Sequence, residues 1–335
     1  MERSEEVLCG LQPHSNLKQL CISGYQGIKF PNWMMDSLLP NLVQISVEEC
    51  CSCERLPPLG KLQFLKNLRL KSVKGLKYIS RDVYGDEEIP FPSLESLTLD
   101  SMQSLEAWTN TAGTGRDSFP CLREITVCNC AKLVDLPTIP SVRTLKIKNS
   151  SAASLLSVRN FTSLAFLSIE NFCDLTNLPD GMVKNHAFLE RLEIVRRRNL
   201  KSPSNQLDNL FALPDGMVKN HAVLERLEIN VMNLKACQGS AITDRPRAFG
   251  ISSLPNQIGH LMSLSYLHIS DCPDLMSLPD GVKRLNVLKE LEIEECPNLE
   301  RRCNKETGED WLKVAHIPEI VINSEEIQSL GSWQR

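Results

Sequence analysis

The spacing of aliphatic residues constrains this chain more tightly than any other feature. A unit Leu-x-x-Leu-x-(Leu/Ile/Val) recurs as Leu17-Leu20-Ile22, Leu42-Ile45-Val47, Leu65-Leu68-Leu70, Leu94-Leu97-Leu99 and Leu122-Ile125-Val127. It continues as Val142-Leu145-Ile147, Leu164-Leu167-Ile169, Leu189-Leu192-Ile194, Leu224-Leu227-Ile229, Leu264-Leu267-Ile269 and Leu288-Leu291-Ile293, and a half-unit closes the series at His316 to Ile322. Successive units start about 27 residues apart, with extremes of about 20 and 40. A fixed period of that length marks a solenoid, in which each unit buries its apolar face only against its neighbours.

The second and third aliphatics of each unit are two residues apart, so they share one face of a short strand while the residues between them face away. The expected fold is an α/β repeat solenoid, a leucine-rich-repeat horseshoe. It has a parallel sheet on its concave side and irregular or short helical segments on its convex side. About eleven repeats and a C-terminal half-repeat are expected. Leu-Pro pairs at Leu56, Leu136, Leu178, Leu213, Leu254 and Leu278 mark the convex return, because proline cannot donate to a ladder. Arg81 to Pro90, Thr109 to Ser118, Val195 to Asp208 and Ala236 to Gly250 read as loops. Leu178 to Ile194 recurs nearly letter for letter at Leu213 to Ile229, a duplicated unit. One domain is expected over 1–335, with 1–16 the tail of a preceding repeat, 17–303 the repeats and 304–335 a C-terminal cap and tail. A helix expected around Glu309 to Ala315 closes that end. Nothing equivalent precedes Leu8 and Leu11, so an open first layer and a tendency to aggregate are expected.

Charge and motifs exclude several functions. A net charge of −4 gives no footprint for nucleic acid or anionic lipid. No run approaches the ~20 apolar residues of a membrane span, and the charged start, Met1 to Glu6, is not a secretory leader. A cytoplasmic or nuclear location is expected. Cys50, Cys130, Cys272 and Cys296 each fall eight residues after a unit's first aliphatic, and Cys51 and Cys173 nine after it. That phase suits an inward-turning position at the turn, where a thiol can bond bare backbone, better than a zinc site. No His-Glu-x-x-His, Gly-x-Ser-x-Gly or phosphate-loop motif occurs. No catalytic residue, cofactor or metal is expected.

Two strands end in Ile-x-x-Cys-Pro-x-Leu, at Ile269 and Ile293, the first followed by Leu278-Pro279. Together with Val7 to Met34 and Gly308 to Pro318, they resemble the repeats of plant intracellular nucleotide-binding disease-resistance proteins of the coiled-coil type. The resemblance implies two tasks for such a region: sensing a pathogen effector or modified host protein, and restraining a nucleotide-binding domain in cis or in trans. The residues of a nucleotide-binding switch have no counterpart here.

Strand residues facing away from the core are the candidate protein-binding surface. Lys66, Arg69, Arg143 and Lys146 form a basic stretch; Glu193, Glu228 and Glu292, with His268 among them, form an acidic one. Phe166 and Tyr266 are candidate aromatic anchors, since interface hot spots favour such side chains. Two alternative functions remain open: a substrate adaptor of a ubiquitin ligase, for which no docking helix is visible, and a truncated, non-functional resistance paralogue.

Overall fold

Each of the eleven signatures becomes a short strand, because alternating aliphatics can be buried on one side of a ladder only if neighbouring units stack in register. In the computed structural model, residues 2–35, 38–109, 118–172, 179, 182, 186–198, 223–233, 251 and 253–329 are described. They belong to two units, Met1–Leu164 and Ala165–Arg335.

In the first unit, β1 (Gln19–Ser23), β2 (Gln44–Glu48), β3 (Asn67–Lys71), β5 (Ser96–Asp100), β7 (Glu124–Cys128) and β8 (Thr144–Lys148) pair in parallel. The register never slips: Leu20, Ile45, Leu68, Leu97, Ile125 and Leu145 lie side by side. Ile45, Val47, Leu99, Ile125, Val127 and Leu145 are wholly buried. Each fully buried aliphatic of this kind contributes about 1.5–3 kcal/mol relative to exposure. On the return side, β4 (Tyr78–Ile79) pairs in parallel with β6 (Ala107–Trp108).

In the second unit, β9 (Phe166–Glu170), β10 (Arg191–Arg198), β11 (Arg226–Asn233), β12 (Tyr266–Ser270), β13 (Glu290–Glu294) and β14 (Glu319–Ile322) form a parallel ladder. β15 (Glu325–Ser329) then turns back antiparallel on β14. Single-turn helices of the 3-10 type, Asn256–His260 and Asp280–Arg284, stack along the return side. They meet at glycines: a Cβ on Gly281 would stand 2.1 Å from the Asn256 carbonyl oxygen, and one on Gly259 2.4 Å from that of Gly281.

One device ends nearly every strand. The next residue enters the left-handed region, as at Glu49 (φ 55°), Ser72 (53°), Ser101 (55°), Asn129 (54°), Asp271 (54°) and Glu295 (49°). Its N–H reaches the last carbonyl of the following strand: Glu49 to Lys71 and Asn129 to Lys148, both at 2.9 Å. The cysteine phase fits this turn. Cys50, Cys130, Cys272 and Cys296 are fully buried, and each thiol donates to the carbonyl two residues back at 3.1–3.2 Å. Cys51, expected alongside them, is exposed instead, because the chain has already turned outward. Cys173 lies outside the described residues.

Three expectations change. Arg81 to Pro90 is not wholly loop: Arg81–Tyr84 is a helical turn. It is fixed because Tyr84 is fully buried, accepts a hydrogen bond from Trp108 Nε1 (2.8 Å) and donates to the Thr109 carbonyl (3.0 Å). Val195 to Asp208 begins not as loop but as the end of β10. The N-terminal layer is covered in part, for Glu2–Gly10 forms a helix whose Glu5 accepts from Ile28 N (2.7 Å) and whose Leu8 carbonyl accepts from Trp33 Nε1 (3.1 Å), while Leu11 stays exposed. The loops expected at 110–117, 199–208 and 236–250, together with Leu178 and the Leu213-Pro214 pair, lie outside the described residues.

The C-terminal closure is stronger than the half-unit alone implied. Asp310, 1% exposed, accepts from Leu278 N (3.0 Å) and from Nε and Nη2 of Arg302 (3.1 Å each), and pairs with Lys313 (2.9 Å). Burial alone would raise its pKa. The Arg302 and Lys313 contacts outweigh that and hold the carboxyl below its ordinary range. The helix Trp311–Val314 lies within the stretch expected to be helical.

Candidate protein-binding face

The outward strand positions form continuous rows because parallel register places each beside its counterpart on the next strand. In the first unit the middle row runs Cys21, Ser46, Arg69, Thr98, Thr126, Lys146. Its cations are partly neutralised from neighbouring strands. Arg69 lies between Glu48 (3.5 Å) and Asp100 (3.8 Å), and Lys146 contacts Glu124 at 2.9 Å. Lys66, just before β3, contacts Glu95 at 2.8 Å, which raises the lysine's pKa. Arg143 stands exposed just before β8. Lys66, Arg69 and Lys146 of the expected basic stretch are therefore members of ion pairs with neighbouring repeats. Exposed pairs of this kind contribute little stability, ~0.2–1 kcal/mol, so their partners can be exchanged.

The second unit is organised differently. One row runs Phe166, Arg191, Arg226, Tyr266, Glu290, Glu319, and the next Ser168, Glu193, Glu228, His268, Glu292. The Arg191 guanidinium lies over the Phe166 ring, 5.1 Å from its centroid, and that of Arg226 lies 3.5 Å from the centroid of Tyr266. Arg191 also donates to Glu193, and to Glu228 at 3.0 Å; Arg226 Nε donates to Glu228 at 2.7 Å. The Tyr266 hydroxyl donates to Glu292. Burial, and then that carboxylate, push the phenol pKa up.

Phe166, Glu193, Glu228, Tyr266, His268 and Glu292 thus share one face, and the expected acidic end is threaded by two cations. Tyr266 is only 9% exposed; it is a supporting ring under Arg226 rather than a protruding anchor. Arg191 and Arg226 are the functional candidates that the sequence reading missed. A signal was present: both immediately precede the second aliphatic in the motif Glu-Arg-Leu-Glu-Ile, at the same position as Phe166 and Tyr266 in their units.

The R13L1/DRL21 LRR family model matches residues 1–73. The disease resistance protein RGA4 of Solanum bulbocastanum is 32% identical over 95% of this chain and 30% of its own length. RGA1 of the same plant is 36% identical over 58% of the chain and 20% of its own length. The RPP13-like disease resistance protein 1 of Arabidopsis thaliana is 35% identical over 44% of the chain and 15% of its own length. The repeats are similar to those of plant disease-resistance proteins. The chain spans less than a third of the length of each of those three relatives. Among the described residues, no helix is long and apolar enough to cross a membrane.

Proposed function

We propose that this chain is the non-catalytic recognition region of a plant resistance receptor, binding a pathogen effector or modified host protein and restraining a nucleotide-binding switch. The observation that carries this reading is the preassembled lattice on the second unit's outward face. Arginines stacked on Phe166 and Tyr266 and tied to Glu228 have already lost much of the side-chain freedom that docking would otherwise cost. Arginine and aromatic side chains in a desolvated setting are also the usual interface anchors. The alternating charges orient a partner by complementarity more than they add affinity.

The restraining role is tested by co-expressing the chain with the separate nucleotide-binding domain of a related receptor and isolating the complex. Salt-sensitive capture is expected. It should be lost when Arg191 and Arg226 are changed to glutamate, or when Lys66, Arg69 and Lys146 are. A folded chain that captures nothing would remove the restraining role, and capture indifferent to both sets would remove these faces from it.

A further inference from the structure

We propose that His268, Glu292 and Glu294 form a binding site for one divalent ion of the zinc class on the outward face of the second unit. Parallel register sets His268 beside Glu292, and Glu294 lies two residues further along β13, on the same face. One donor atom from each, an imidazole nitrogen and two carboxylate oxygens, lie within 4.8 Å of one another. Small side-chain rotations from that starting point would bring all three to the ~2.0–2.2 Å typical of zinc bonds.

Two observations separate this cluster from a merely acidic strand. First, His268 Nε2 is shielded from solvent and has no hydrogen-bond partner; its nearest carboxylate oxygen, on Glu294, is 3.7 Å away. A shielded ring nitrogen left unsatisfied is costly, and a metal ion would satisfy it. Second, Glu292 is held from behind by the Tyr266 hydroxyl, itself stacked under Arg226. Such outer contacts orient metal ligands in built sites. The surroundings favour a dication as well. Glu290 and Glu319 face each other on neighbouring strands beside the cluster.

The donor set points to the ion class. Calcium and magnesium prefer all-oxygen shells, whereas imidazole with carboxylates suits zinc, cobalt or their neighbours. The expectation of no metal rested on the phase of the cysteines and on the absence of a His-Glu-x-x-His motif, and this site uses neither.

The full chain, tag-free, chelator-stripped and kept reduced, is titrated with Co2+ and followed by visible d–d absorption, then challenged with Zn2+. One equivalent is expected to bind without thiolate charge-transfer bands and to be displaced by Zn2+. His268→Ala and the isosteric Glu294→Gln should each weaken binding about tenfold or more. Circular dichroism checks folding, and Glu294→Gln carries the test if His268→Ala misfolds. No binding, thiolate bands alone, or unchanged affinity in a folded variant would overturn the site. Because the readout needs no docked protein, it stands apart from the proposed recognition role.

Discussion

The residue after each strand does a job for which most of its occupants are poorly suited. Glu49, Ser72, Ser101 and Glu295 adopt positive φ, a region costly for most L-residues but more tolerant of asparagine. The structure uses Asn129, Asn149, Asn171 and Asn323 at the same point. Because Glu49 is exposed and the turn uses its backbone N–H, Glu49→Asn should raise stability by about 1 kcal/mol. A higher urea midpoint at unchanged slope would register it. Asp310 is the opposite case, a side chain with several obligations at once. Asp310→Asn should cost about 3 kcal/mol, as expected when a buried charge network loses its centre. Its folded pKa is lowered, so its contribution is full above the unfolded value of ~3.9 and is lost as pH falls through the folded one. Denaturation curves of the two proteins should therefore differ most near neutrality and converge in acid.

Among elements, the strands were legible in the sequence because their period of two is local and every unit repeats it. What escaped depended on partners far along the chain. Tyr84 makes a helical turn of Arg81–Tyr84 because Trp108 and Thr109, more than twenty residues on, receive it. The acidic segment Glu325–Ser329 becomes β15 because Gln328 donates to the carbonyls of Ala315 (3.1 Å) and Ile317 (2.6 Å). Arg191 and Arg226 were missed for the same reason: periodicity shows which face a residue takes, not which ring lies beside it on the next strand. The return side also sets strict limits. Gly281→Ala must displace the Asn256 carbonyl and should cost about 1–3 kcal/mol, read as a drop in melting temperature. Thiol chemistry should report the turn's two sides. Burial raises Cys130 and Cys303 to about 12, while Cys9, Cys21 and Cys51 are exposed. Alkylation of the native chain at pH 8, mapped by mass spectrometry, should modify those three and spare Cys130 and Cys303.

For the molecule as a whole, the two units hold their ends differently. The second closes with β15 and the Asp310 network. The first presents a groove of about 540 Å³ between the helix Glu2–Gly10 and β1, with Val7 57% and Leu11 63% exposed at its edge. Among the described residues no strand pairs with the outer edge of β1, and an apolar, unpaired edge invites association. The chain should therefore self-associate with rising concentration in sedimentation, and Val7→Lys with Leu11→Lys should reduce that association without lowering thermal stability. The in-register pairing of β10 with β11 has a different kind of consequence. Arg191 meets Arg226 and Glu193 meets Glu228 because both strands descend from one duplicated stretch of sequence. Copying a single unit therefore placed a matched pair of guanidiniums and a matched pair of carboxylates side by side in one genetic event. A surface built this way can acquire a new charge pattern by gaining or losing copies, several residues at a time, while the aliphatic frame beneath it stays the same.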